Sequence, residues 1–489
     1  MKVEDMKKIR IIPRLDIKGP NVVKGIQFEG LRVVGNPFAM AKKYYEQGAD
    51  ELLYIDIVAS LYNRNNLTHI IEETTQKGIS IPLTVGGGIR TIDDITKILR
   101  SGADKVAINT AAVKNPEFLR EASRKFGSST IVLSIEAKKI AEGKWEAYID
   151  NGRERTGLDV IAWAKKAVDF GVGEILITSV DKEGTKTGYD MDLINATTAA
   201  VSVPVTASGG AGRIEHLQEC LANDRLEGVA LANLLHYDTV TVQQIKKELG
   251  RRYPEKIHST SQYVVRESAT AVEQVSILDY GLGNIRSIKN AFEELGVKVN
   301  LISSPEEIGK AKHLILPGVG SFEEGIRNLR SAHLDQAIID YVGEGKFLLG
   351  ICLGMQLLMT KSYEFGEHTG LGIIEGEVLR FEEGPLLLKQ PFKVPHVGWN
   401  KVALNRRAED ILFDGKIHDF EAYFVHSYYV KPVREEYVLA TTSYGGQEFC
   451  SLVAKDNVYG CQFHPEKSGG IGLYLLKEFL RLSIEGARR

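Results

Sequence analysis

Cysteine is scarce in this chain, and the shortage is informative. Only Cys220, Cys352, Cys450 and Cys461 occur in 489 residues. That is too few for a disulfide scaffold, and no CxxC pair offers a metal site, so neither a metal nor a cofactor is expected. Long hydrophobic runs are missing too. None approaches the ~20 residues of a membrane-spanning helix, and Met1-Lys2-Val3-Glu4-Asp5 lacks the apolar stretch of a signal peptide. Nor does charge of one sign dominate: Lys plus Arg number 61 against 64 Asp plus Glu, a net −3, and no field favours nucleic acid or an anionic membrane. These absences imply a cytoplasmic protein of two to four domains, at roughly 150 residues per domain. Proline is sparse (14) and glycine abundant (48). Many glycines cluster after apolar runs, which suggests turns that hold phosphates or carboxylates.

Over residues 1–250, short β-branched runs alternate with helical stretches. Candidate strands are 9–15, 51–56, 81–85, 105–108, 131–135, 174–178, 203–207 and 228–231, with amphipathic pieces such as 37–47 and 91–100 between them. Eight strand–helix units in about 250 residues predict a (β/α)8 TIM barrel. An internal repeat supports this. Residues 48–56 resemble 171–179, and Gly86-Gly87-Gly88-Ile89 resembles Gly209-Gly210-Ala211-Gly212, each pair 123 residues apart; Leu15-Asp16-Ile17-Lys18 resembles Ile135-Glu136-Ala137-Lys138 at 120. One half-barrel written twice explains all three. Residues 251–274 are polar and aperiodic and read as a linker. A second α/β domain, 275–489, opens at Val275-Ser276-Ile277-Leu278-Asp279, with further strands at 297–302, 313–316 and 347–350.

The most specific motif is Gly350-Ile351-Cys352-Leu353-Gly354-Met355-Gln356. An apolar strand runs into G-x-C-x-G and then a helix, expected over 355–359. This is a nucleophile elbow with cysteine in place of serine, and a following helix N-terminus favours a thiolate. A thiolate nucleophile needs a base, and Gly460-Cys461-Gln462-Phe463-His464-Pro465-Glu466 supplies His464. If that segment is extended, Glu466 points to the same side and orients the imidazole. The competing reading is a buried structural cysteine and an unrelated histidine. His426 also lies near, but without a carboxylate two residues on it reads as structural.

These residues, with Asp279-Tyr280-Gly281-Leu282-Gly283-Asn284, Pro317-Gly318-Val319-Gly320, Pro395-His396-Val397-Gly398-Trp399-Asn400 and His464-Pro465-Glu466-Lys467-Ser468, make the second domain resemble a class I glutamine amidotransferase. Within that class it is similar to the glutaminase subunit of imidazole glycerol phosphate synthases. The resemblance implies that Cys352 attacks glutamine, His464 moves protons and Glu466 orients His464. It further implies an oxyanion hole from the backbone of Gly318, Val319, Gly320 and Leu353, and contact of Gln356 with the substrate.

The first domain resembles the cyclase subunit of the same family. Asp16 ends the first strand and Glu136 the fifth, and barrels place chemistry at that end; two facing carboxyl groups suit general acid–base ring closure. Gly86-Gly87-Gly88 with Asn109-Thr110, and Gly184 with Gly209-Gly210 and Asn233, would form two phosphate cradles, although tight packing explains any single GG turn equally well. A phosphorylated ribotide with a phosphate at each end is the implied substrate. Arg10, Glu51, Lys105 and Glu174 lie near strand starts. On their own they read as a solvated rim; in the family a matching ring gates an ammonia passage.

Some positions depart from the family pattern: Arg14 stands where cysteine is usual, Gly19-Pro20 replaces Asp-Gly, Glu136 and Glu183 replace aspartates and Asn233 a serine. Arg14 and Asp16 are two apart on one strand, so an internal ion pair is expected, which Glu136 has the length to join. The stretch PRLDIKGP with SIEAK resembles a paralogous branch associated with surface-polysaccharide sugars, in which the ammonia goes to a separate sugar amidotransferase. The chain therefore reads as a fold of two parts, a TIM barrel followed by a class I glutamine amidotransferase α/β domain that dock within one molecule. Its first functional reading is the glutamine-dependent synthesis of imidazole glycerol phosphate, a step of histidine biosynthesis. Its rival is the sugar pathway. A scaffold with both sites decayed is disfavoured by the intact Cys352, His464 and Glu466.

Overall fold

In the computed structural model, residues 8–59, 67–258, 272–382, 392–413 and 417–486 are described. They fall into two compact units, drawn mainly from 1–123 with 128–260 and from 261–382 with 399–489.

Among the described residues the first unit carries twelve strands: β1 Arg10–Lys18, β2 Asn21–Ile26, β3 Glu29–Gly35, β4 Leu52–Asp56, β5 Leu83–Gly86, β6 Lys105–Ile108, β7 Ile131–Ala141, β8 Lys144–Ile149, β9 Glu154–Asp159, β10 Glu174–Ser179, β11 Val205–Ser208 and β12 Gly228–Leu231. Eight of them, β1, β4, β5, β6, β7, β10, β11 and β12, pair in parallel, and the β7–β10 pairing closes the barrel. The predicted eight-stranded barrel is thus present, with strand ends shifted by at most six residues and two strands, β6 and β12, matching at both ends. Two excursions were not anticipated. The β2–β3 hairpin extends antiparallel from the end of β1, and β8–β9 extends from an elongated β7.

Several helices between strands start where the sequence supplies caps. Thr91 and Asp94 form a capping box for helix Ile92–Arg100, and the Asp159 side chain accepts from Ala162 N at the start of Val160–Asp169. Of the stretch read as linker, 251–258 and 272–274 are described: Arg251 and Arg252 end the helix Val242–Arg252, Gln274 opens a strand of the second unit, Ile257 bridges Ile9, and Asp50 meets both Lys246 and His258. Residues 259–271 lie outside the described residues, as do 1–7.

Alternate residues along each strand turn into the barrel. The result is three levels along its axis. Arg10, Glu51, Lys105 and Glu174 are buried at the strand starts; Ile12, Leu53, Ala107, Val132, Leu176 and Ala230 pack above them; and Arg14, Asp16 and Glu136 follow at the strand ends.

In the second unit, β13 Gln274–Leu278, β14 Lys298–Ile302, β15 His313–Leu316 and β16 Phe347–Ile351 run parallel in the order β14-β13-β15-β16. Strand Val458–Cys461 pairs parallel with β16 and continues into antiparallel strands that the sequence reading did not resolve. The core under this sheet includes Leu278, Phe322, Leu348 and Met355.

Candidate functional site

Strand β16 delivers Cys352 into the second unit's site. The chain turns at Cys352 with φ 52° and ψ −107°, a left-handed backbone that costs a non-glycine residue about 1–3 kcal/mol. Helix Leu353–Leu357 follows directly, two residues earlier than expected. The tightness of the turn explains the glycine after it: a Cβ on Gly354 would lie 1.9 Å from the Leu316 carbonyl oxygen. The same approach brings Gly318 against Leu353, so two segments assigned to the oxyanion hole are in contact.

Strand Val458–Cys461 delivers His464, the candidate base. Cys352 N donates to the Cys461 carbonyl at 2.8 Å, pinning the elbow to this strand. Three residues on, His464 Nδ1 meets Glu466 Oε1 at 2.7 Å, both side chains buried. The expected partnership is present but the expected reason is not. Pro465–Lys467 is a 3-10 turn rather than extended chain, and the turn curls the carboxylate back onto the ring. Burial pushes the His464 imidazole down, yet Glu466 and Cys352 outweigh it and hold the pKa well above the usual histidine value. His464 Nε2 has no partner of strict hydrogen-bond geometry among the described residues, although the Cys352 thiol is near enough to help raise the ring's pKa.

Two further amides converge on the thiol. Gln356 donates to the Tyr428 carbonyl at 2.9 Å and to Gln462 Oε1 at 3.1 Å, and Gln462 Nε2 lies 3.6 Å from Cys352 Sγ. Gln462 was passed over, although it stands inside the motif that supplied His464. Glu364 was also missed: it is buried, accepts from Phe322 N at 2.6 Å, and burial raises its carboxyl to about 7. His426 is neutral, its pKa lowered to about 3 by burial, and its Nδ1 meets the Tyr428 carbonyl at 2.7 Å.

In the barrel, Asp16 is locked. Its Oδ1 accepts from Arg14 Nε at 2.8 Å and its Oδ2 from Lys24 Nζ at 2.7 Å, and Lys24 also pairs with Glu183. Burial opposes ionisation here, but Arg14 and Lys24 overcome it and keep the carboxyl well below its usual range. Lys24 arrives on the β2–β3 hairpin, which left no signal in the sequence. Arg14 also donates to Thr178 and Ser208. Glu136 does not join this pair. Its Oε2 accepts instead from Gly152 N at 2.7 Å, because β8 and β9 bring that turn over the strand end, and burial raises its pKa to about 7. Glu136 lines a cavity of about 310 Å³ together with Gly87, Gly88, Asn109 and Thr110. Across the mouth, Asn233 donates to the Gly184 carbonyl at 3.0 Å, in the cluster that holds Glu183 and Gly209-Gly210.

The charges at the strand starts are no solvated rim. Arg10 meets Glu51 and Glu174, each at 2.6 Å, and Lys105 meets them at 2.8 and 2.7 Å, all buried. Thr84 and Thr206 add hydroxyls to Glu51 and Glu174. Two cations and two carboxylates close a neutral ring across the barrel axis. Among the described residues, no group of His, Cys, Asp and Glu is arranged to hold a metal, and no helix is long and apolar enough to cross a membrane.

Comparison with known proteins agrees with both halves. Residues 10–241 match the family described as histidine biosynthesis protein, and 276–481 match glutamine amidotransferase class-I. The imidazole glycerol phosphate synthase subunit HisF of Legionella pneumophila is 58% identical over 210 residues, 43% of this chain and 99% of that protein. The subunit of the same name from Lactococcus lactis subsp. lactis is 50% identical over 241 residues, 49% of this chain and 93% of its own length. That of Streptococcus mutans is 45% identical over 244 residues, 50% and 97% respectively.

Proposed function

The chain belongs to the imidazole glycerol phosphate synthase family, with a HisF-type barrel and a class I glutamine amidotransferase domain on one polypeptide, and from this we propose that it hydrolyses glutamine at Cys352 and delivers the ammonia to the mouth of its own barrel. The observation that carries the reading is the buried set Cys352, His464 and Glu466.

The thiolate attacks the side-chain carbonyl of glutamine, and backbone N–H groups of Gly318, Val319, Gly320 and Leu353 receive the charge that develops on oxygen. His464, held protonated by Glu466, gives its proton to the departing ammonia. The imidazole then takes a proton from the water that cleaves the thioester. Ammonia passes the ring of Arg10, Glu51, Lys105 and Glu174 and the apolar level above it, a lining that favours NH3 over the ammonium ion. At the mouth, the acceptor of the first reading is the bis-phosphate ribotide, held by Gly87, Gly88, Asn109 and Thr110 at one end and by Gly184, Gly209, Gly210 and Asn233 at the other. Asp16 and Glu136 assist ring closure, giving imidazole glycerol phosphate and aminoimidazole carboxamide ribotide. A reducing compartment that holds glutamine, the cytoplasm, suits the thiol.

The test is direct. Cys352→Ala should lower glutamine hydrolysis by at least 1,000-fold, on the order seen when nucleophiles are removed; near-normal turnover would sink the nucleophile assignment. One observation favours a second acceptor. With each oxygen of Asp16 held by a buried cation, that carboxylate is poorly placed to exchange protons, as expected if the ammonia instead serves a separate sugar amidotransferase. Assay of the whole chain with ribotide and ammonium salts separates the two. Product supports the first reading; none, with normal glutaminase, supports the second. In that case Arg14→Cys combined with Glu136→Asp should restore turnover.

A further inference from the structure

The hydrogen bonds around the nucleophile have a polarity that starts from a backbone atom. The Tyr428 carbonyl can only accept, so the Gln356 group 2.9 Å from it must be the NH2. The second hydrogen of that NH2 faces Gln462 at 3.1 Å, which must therefore present its oxygen. Gln462 is then left with its NH2 towards Cys352 Sγ, 3.6 Å away. His426, also donating to Tyr428, packs behind the same carbonyl. Gln462 is fully buried and its backbone N–H is anchored on the Ser451 carbonyl at 3.0 Å, so its amide has little freedom to turn away.

We propose that Gln462 is a positioning residue for the nucleophile: it donates a hydrogen bond to the Cys352 thiolate, and Gln356 fixes the direction of that bond. The proposal rests on Cys352 being the nucleophile of a glutaminase. It adds two things. Whenever the Cys352 sulfur is ionised during the reaction, it receives a neutral donor besides the imidazole of His464, and hydrogen bonds to the charged form favour that form. Gln356, with both hydrogens committed, can offer glutamine only its carbonyl oxygen, so what it recognises on the substrate is an N–H donor.

The experiment uses the full chain with Gln462→Met, which keeps the shape and removes the donor, and Gln462→Glu, which puts an acceptor and a charge in its place. Thermal unfolding and circular dichroism establish that each folds. Alkylation of Cys352 by iodoacetamide, followed against pH without glutamine, reads the thiolate directly. The midpoint should rise by about half a unit or more in Gln462→Met and by at least one unit in Gln462→Glu. In glutaminase assays kcat should fall about 10-fold or more, with KM within about 2-fold. Gln356→Met, which frees the Gln462 amide to turn, should move the alkylation midpoint in the same direction by less. An unchanged midpoint in a folded Gln462→Met would overturn the proposal, and so would a raised KM with kcat intact, which assigns Gln462 to substrate binding. If Gln462→Glu fails to fold, the Met variant decides alone. Failure of the underlying reading looks different: Cys352→Ala would then retain glutaminase, whatever the Gln462 variants do.

Discussion

Asp16 and Glu136 were expected as a matched pair of carboxylates, and their surroundings drive them apart. Glu136 carries its proton up to about 7 in the folded chain, for burial disfavours the anion, whereas an unfolded glutamate loses it near 4.5. Between those values the folded state binds more protons, so this group's contribution to stability falls as pH rises, and the cost is complete above about 7. Glu136→Gln should therefore be more stable than the parent at pH 8, by at most about 3 kcal/mol, and much less different at pH 4.5. Urea unfolding at both values measures it. Part of the slope should survive in the variant, because Glu364 is shifted the same way. Asp16 has the opposite sign. Its pKa is depressed, so its stabilisation is present above the unfolded value near 3.8 and is lost only as pH falls below it. Removing its charge in Asp16→Asn leaves Arg14 and Lys24 with too few partners, which typically costs about 3–5 kcal/mol for a buried pair; a fall in Tm read by calorimetry at pH 7 checks this. At this scale the sequence was legible where partners are close in the chain. Arg14 and Asp16 are two apart on a strand, and His464 and Glu466 two apart on a turn. Lys24 and the Gly152 amide reach the mouth on excursions that no local pattern announced.

At the scale of elements, the eight barrel strands could be read because each is a short apolar run flanked by turn residues. The hairpin β2–β3 could not. Neither of its strands is a sustained apolar run: Lys24 and Gly25 interrupt β2, and β3 is largely exposed. The later strands of the second unit escaped for a related reason, since mixed and antiparallel strands lack the regular strand–helix alternation that identified the rest. The elbow was legible to within two residues, but its helix begins at Leu353, immediately after Cys352, and that closeness has a testable cost. In Gly354→Ala the new methyl must displace the Leu316 carbonyl, which opens the contact between β15 and the helix that follows β16. Displacements of about an ångström at a catalytic centre can cost on the order of 100-fold in rate. Gly354→Ala should lose glutaminase on that scale while leaving ammonium-dependent chemistry at the barrel intact, as parallel assays with glutamine and ammonium chloride would report.

For the molecule as a whole, the proposed division of labour makes the two activities separable by their nitrogen source. Cys352→Ala supplied with ammonium salts should retain whatever the barrel does with ammonia, at a rate within a few-fold of the parent under the same conditions; loss of both activities would mean that the thiol serves the barrel too. The internal repeat adds a point about the ring at the strand starts. Glu174 follows Glu51 by 123 residues and Thr206 follows Thr84 by 122, but the residue 123 after Lys105 is Gly228. A Cβ at Gly228 would come within 2.5 Å of the Thr206 hydroxyl that Glu174 uses. If the two halves descend from one duplicated ancestor, the carboxylates were inherited twice and the lysine once. A copy faithful at that position would have set a third cation against two anions in a dry core. The second half is in that sense an edited copy, and its departure from symmetry is what leaves the ring at the strand starts without net charge.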